Sequence, residues 1–128
     1  MMGIEHLAIL AKDTFALKEW YLQTFGGKTG YDNGKGTYFI AFDDGSMIEF
    51  ITAGEDTPEY GTKAAGIRHI AISVTEMEFD IAVKKLKADE LVTEVTDVAA
   101  GSNGVKTYFF KDPEQNILHL IYRPTPLI

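Results

Sequence analysis

The chain has 128 residues, no cysteine and a formal net charge of −7 at pH 7, a length that suits one domain or two half-domains sharing a core. The missing thiols exclude a disulfide framework, thiol catalysis, iron–sulfur clusters and cysteine-based zinc sites, and they suit a reducing cytoplasm. The acidic balance, with no basic patch, argues against nucleic acid and anionic membrane surfaces as partners. The opening Met-Met-Gly-Ile-Glu-His lacks the basic-then-apolar order of a secretory signal. Apolar runs such as Leu7–Ala11 fall far short of the ~18 residues of a membrane span.

In chain order, Ile4–Leu10 predicts an apolar strand. Asp13 is placed to cap a helix through Phe25, with Phe15, Leu17, Trp20, Tyr21 and Phe25 as its apolar residues and Gly26-Gly27 as its stop. Short strands are expected at Lys28–Tyr31, Gly36–Phe42 and Ser46–Thr52, the last two joined by the turn residues Asp43-Asp44-Gly45. Residues 54–65, rich in Gly, Thr, Pro and Glu, read as a linker. Ile67–Val74 predicts a second apolar strand. Thr75 or Glu76 then opens a helix that turns Phe79, Val83 and Leu86 inward and Lys84, Lys85 and Lys87 to water. Strands at Leu91–Val98, Val105–Phe110 and Asn116–Tyr122 follow, with Asp112–Asn116 as turn chemistry.

The second half repeats the first. GIEHLAIL at Gly3–Leu10 aligns without a gap to GIRHIAIS at Gly66–Ser73, and TYFIAFDDGSMIEF at Thr37–Phe50 aligns to TYFFKDPEQNILHL at Thr107–Leu120. Self-similarity of this kind sets the architecture: two β-α-β-β-β modules, 3–53 and 66–124, within one domain. The three histidines of the chain all fall on matched positions. His6 and His69 are equivalent, and His119 is matched by Glu49, so four repeat-related positions hold metal-ligand side chains.

Strand alternation places His6 on one face with Ile4 and Ala8, His69 with Ile67 and Ala71, Glu49 with Met47 and Ile51, and His119 with Ile117 and Ile121. Both faces are apolar, so both are expected to be covered, one of them by helices. An ionised Glu49 there is costly unless paired or coordinating a cation. Taken singly, each residue has a plainer explanation: a hydrogen-bonded core histidine, or Glu49 paired with Arg68, Arg123 or Lys111. The coincidence of all four favours a shared metal site.

The motifs GIEHLAI, SMIEFI, GIRHIAI and YFFKDPEQNILHLIYRP together resemble the vicinal oxygen chelate superfamily, which includes glyoxalase I, methylmalonyl-CoA epimerase, extradiol dioxygenases, fosfomycin resistance enzymes and bleomycin-binding proteins. The resemblance spans nearly the whole chain. It implies an α+β fold of two paired βαβββ modules in a curled open barrel around a divalent ion, with His6, Glu49, His69 and His119 at the metal-facing positions, and it implies a homodimer. The family's closing motif typically ends in glutamate, where this sequence has His119.

Three imidazoles and one carboxylate suit Zn²⁺, Ni²⁺, Co²⁺ or Fe²⁺ better than the oxygen-seeking Mg²⁺ or Ca²⁺. With four protein ligands an octahedral ion keeps two adjacent positions for a substrate with neighbouring oxygens. With the resemblance, this implies the activity of a glyoxalase I-like lyase or isomerase, moving a proton on a small α-oxoaldehyde–thiol adduct. Glu49 is the favoured base, with His119 the other candidate. The alternatives are another metalloenzyme of the superfamily (an epimerase or ring-cleaving dioxygenase) or a metal-free dimeric binder that sequesters an aromatic or cationic compound. Tyr38, Phe39, Tyr108 and Phe109 are repeat-equivalent aromatics for the core or a pocket wall. Gly101-Ser102-Asn103-Gly104 reads as a turn or a lid, and Lys111 and Arg123 as contacts for a substrate carboxylate or for solvent.

Overall fold

A computed structural model describes residues 2–55 and 65–128. The chain forms two compact units, Met1–Pro58 and Glu59–Ile128. The first contains β1 (His6–Ala11), α1 (Thr14–Phe25), β2 (Lys28–Asp32), β3 (Tyr38–Ala41) and β4 (Met47–Thr52). The second contains β5 (Ile70–Ser73), α2 (Glu76–Ala88), β6 (Thr93–Ala100), β7 (Lys106–Lys111) and β8 (Ile117–Tyr122). Both follow the β-α-β-β-β order expected from the repeats. Most of the proposed linker lies outside the described residues. Among the described residues, no helix is long and apolar enough to cross a membrane.

Each unit is built on one four-stranded mixed sheet, ordered β1-β4-β3-β2 and β5-β8-β7-β6. The first and last strands of each module pair in parallel, β1 with β4 and β5 with β8. The remaining neighbours are antiparallel. This is the α+β class, written twice in one chain.

The helix ends follow from local chemistry. Asp13 accepts the Ala16 amide at 3.0 Å to start α1, and Gly26, at φ 81, ends it by donating its amide to Leu22 O. Thr75 and Glu78 form a reciprocal capping box at the start of α2, at 2.9 and 3.2 Å, an arrangement worth about 1 kcal/mol. In unit one α1 lies on the sheet, with Leu17, Trp20 and Tyr21 of the helix and Ile9, Ile40, Ile48 and Phe50 of the strands buried, and the Tyr21 and Phe50 rings 5.1 Å apart. In unit two Phe79, Val83 and Leu86 lie among the buried residues with Tyr108, Phe110, Leu118 and Leu120.

One helix position departs from the expected pattern. Phe15 is 55% exposed, whereas Lys18 is buried. Thr14, Leu17, Lys18 and Tyr21 form the i, i+3, i+4, i+7 stripe that faces the sheet, and Phe15 falls off it. The Lys18 stem supplies apolar surface, while its ammonium sits 4.6 Å from the Phe15 ring, 4.8 Å from the Tyr38 ring and 2.9 Å from Glu19 Oε1.

Gly27 closes the turn after α1 at φ +97, where a Cβ would stand 2.5 Å from the Ala41 carbonyl oxygen. Gly34, at φ +72, has open space around the same point. Gly34→Ala should cost about 1–2 kcal/mol from the left-handed backbone alone. Gly27→Ala should cost more, because the clash adds to that strain. Urea unfolding of both variants measures the difference, and equal losses would contradict the close approach.

Candidate metal centre

In unit one the parallel register sets His6 opposite Met47 and Ala8 opposite Glu49, and β3 brings Phe39 opposite Glu49. Paired residues share a face, so His6, Glu49 and Phe39 emerge together on the side away from Ile9, Ile48 and Phe50. His6 Nε2 lies 3.5 Å from Glu49 Oε1, with the two side chains 35% and 20% exposed. His6 Nδ1 lies 2.9 Å from Glu5 Oε1. The edge of Phe39 meets the His6 ring at 5.1 Å between centroids, and Tyr31 stands next along at 6.0 Å from Phe39. The carboxylate expected to need compensation thus has the imidazole of the same unit as its near neighbour.

Unit two repeats the arrangement with different groups. Ala71 and Phe109 are the cross-strand partners of His119. His69 stands just before β5, whose pairing with β8 starts at Ile70 opposite Leu118, so the strand is shorter than the expected Ile67–Val74. The His69 and His119 rings meet edge to face, 4.6 Å apart. Phe109 stacks on His119 at 4.3 Å with the planes 5° apart, and it meets His69 edge-on at 5.4 Å. His119 is 7% exposed. Burial, followed by the nearby charges of His69 and Arg123, holds its pKa below the ordinary histidine value.

The structure therefore brings His6 together with Glu49, and His69 together with His119. Within either unit the described residues form no group of three or more His, Asp or Glu that could hold an ion. The expectation that both sheet faces would be covered does not hold for the histidine-bearing face of unit one, where Leu10 is 61% and Tyr31 54% exposed. Each module has a single helix, and that helix covers the opposite face.

Alternation also divides the paired aromatics. Phe39 and Phe109 touch the histidines. Tyr38 flanks Lys18 on the helix side, and Tyr108 is fully buried with its hydroxyl donating to Glu94 Oε2 at 2.9 Å. Burial and that hydrogen bond push the Tyr108 pKa upward, so it stays a neutral donor. Gly101 and Gly104 close an ordinary tight turn between β6 and β7 through Gly104 N to Gly101 O and Gly101 N to Val105 O.

A divalent cation suits these donors. Two atoms that each bind one ion at ~2.0–2.1 Å lie roughly 3–3.5 Å apart, close to the His6–Glu49 separation. His119 Nδ1 is buried with no hydrogen-bond partner among the described residues, an arrangement that costs free energy while the nitrogen stays unsatisfied. The depressed pKa keeps His119 in the neutral form that coordination requires.

A family model described as the Glyoxalase/Bleomycin resistance protein/Dioxygenase superfamily matches residues 3–120. No curated protein sequence matches significantly. Among solved structures, a glyoxalase/dioxygenase from Nostoc punctiforme is similar, with a TM-score of 0.82 at 14% identity, covering 96% of this chain and 92% of that one. A fosfomycin resistance protein from Listeria monocytogenes is similar with a TM-score of 0.78 at 19% identity, covering 99% and 96%. A lactoylglutathione lyase from Agrobacterium tumefaciens is similar with a TM-score of 0.67 at 16% identity, covering 95% and 94%. At these identities the likeness is one of fold.

The lowered pKa of His119 has a sign. As pH falls below about 6.5, the ordinary histidine value, the unfolded chain takes up a proton that the folded chain resists. Metal-free protein should therefore lose stability between pH 7.5 and 5.5, and His119→Gln should lose less over the same interval. Urea unfolding after chelation measures both slopes. Identical slopes would remove His119 as a source of the pH dependence.

Proposed function

The chain belongs to the Glyoxalase/Bleomycin resistance protein/Dioxygenase superfamily, and from that premise we propose that it is a divalent-metal-dependent lyase or isomerase of the glyoxalase I type. Its substrate would be a small α-oxoaldehyde–thiol adduct or a related compound with vicinal oxygens. The observation that carries this reading is the pair of ligand clusters at repeat-related positions, His6 with Glu49 and His69 with His119. In this reading the four donors share one ion, with Zn²⁺, Ni²⁺, Co²⁺ or Fe²⁺ as the chemically suited choices. The same reading takes the protein as a homodimer in the cytoplasm.

When bound, such an ion supplies Lewis-acid polarisation of a carbonyl. The chain's own residues supply the rest. His6, His69 and His119 would hold the ion through ring nitrogens, while Phe39 and Phe109 limit how the His6 and His119 rings can turn. Glu49, the carboxylate among the four, takes the proton from the carbon that carries sulfur and hydroxyl, and returns it to the neighbouring carbonyl carbon. One C–H bond breaks and another forms. The hydroxyl proton passes to the former carbonyl oxygen, so one carbon is oxidised as its neighbour is reduced, with no external oxidant. His119, buried and kept neutral, is better suited to holding the ion than to carrying the proton.

The test uses the hemithioacetal of methylglyoxal and glutathione as probe. Wild-type protein should turn it over only when metal-loaded. Glu49→Gln should retain metal and lose about 10²–10⁴-fold in rate, the usual contribution of a general base. An unchanged rate in that variant rules out Glu49 as base. Wild-type protein that stays metal-free after loading, yet binds an aromatic or cationic compound tightly, would replace this reading with a binding protein.

A further inference from the structure

We infer that Glu5 is a positioning residue that fixes the His6 imidazole so that Nε2 presents its lone pair toward Glu49. The inference rests on the metal reading above and assigns a role to a side chain outside the four donors. Glu5 Oε1 lies 2.9 Å from His6 Nδ1, and His6 Nε2 lies 3.5 Å from Glu49 Oε1. A carboxylate can only accept, so the contact at Nδ1 places the ring proton there. A neutral ring then carries its lone pair on Nε2. That nitrogen and a carboxylate oxygen face each other as two acceptors, and a cation between them satisfies both.

The effect of such a partner is twofold. It selects the tautomer and orients the ring, and it makes the opposite nitrogen a stronger donor, as carboxylates behind ligating histidines generally do. The edge contact with Phe39 restrains the same ring from its side. At the matched position of the second module the sequence has Arg68, which cannot accept a proton. His119 is instead held by burial and by stacking on Phe109. The two halves thus prepare their imidazoles by different means.

Glu5 is largely exposed, so its replacement should leave the fold intact, as the thermal midpoint will show. Two measurements test the role: Zn²⁺ affinity by competition with a chromophoric chelator, and the ¹⁵N shifts of the His6 ring in metal-free protein above pH 8. Glu5→Ala should weaken Zn²⁺ binding about 10–100-fold and abolish the bias toward the Nδ1–H tautomer. Glu5→Gln keeps an accepting oxygen without the charge, and it should fall between wild type and Glu5→Ala in both readouts. Wild-type affinity in Glu5→Ala, or an unchanged tautomer, overturns the inference. If wild-type protein takes up no Zn²⁺, the metal reading fails, and the tautomer measurement still decides the role of Glu5.

Discussion

The parallel pairing of first and last strands within each module is the constraint from which the rest follows. It sets β1 beside β4 and β5 beside β8, so residues far apart in sequence become cross-strand neighbours. Period-two alternation then sends Ile9, Ile48 and Phe50 toward the helix, and His6 and Glu49 the other way. The apolar face supplies the burial that holds the sheet. The opposite face carries His6 and Glu49 among apolar neighbours and is not covered by a helix, because each module has only one helix to cover one side. Ligand-type side chains and core residues are thus segregated by strand geometry, and duplication gives two such faces.

The faces are not equivalent. Unit one presents an imidazole between two carboxylates, partly exposed. Unit two presents two imidazoles and a stacked phenyl ring, with one ring nitrogen buried and unsatisfied. Unit one thus contributes carboxylates beside its imidazole, and unit two a buried His119 kept neutral by desolvation. The substitution of His119 for the glutamate usual at the end of the second module also leaves Glu49 as the one carboxylate among the four. That concentrates the proposed proton-transfer role in the first module.

Much of this was legible in the sequence wherever local chemistry or strict alternation decides the outcome. The span of α1 follows from Asp13 and Gly26, both of which act within one turn of the helix they bound. The four ligand-type positions follow from the repeat. What stayed hidden depends on partners distant in sequence. Phe15 looks like a core residue by composition, but the helical stripe carries Lys18 inward, where Phe15 and Tyr38 flank its ammonium. The start of β5 depends on where β8 begins to pair. The openness of the His6 face was masked by its apolar neighbours, since hydrophobic character alone does not say which face a single helix will cover. Glu5 left one trace, an acid directly before the first matched histidine, which without coordinates reads as an ordinary surface charge.

The central proposal is that His6, Glu49, His69 and His119 are ligands of one cation, and calorimetric titration of chelator-treated protein with Zn²⁺ tests it most directly. The account predicts one equivalent per chain, lost when a ligand is removed from either half, by His6→Ala or by His119→Ala. Two independent equivalents, or undiminished binding after a ligand is removed from one half, would contradict it.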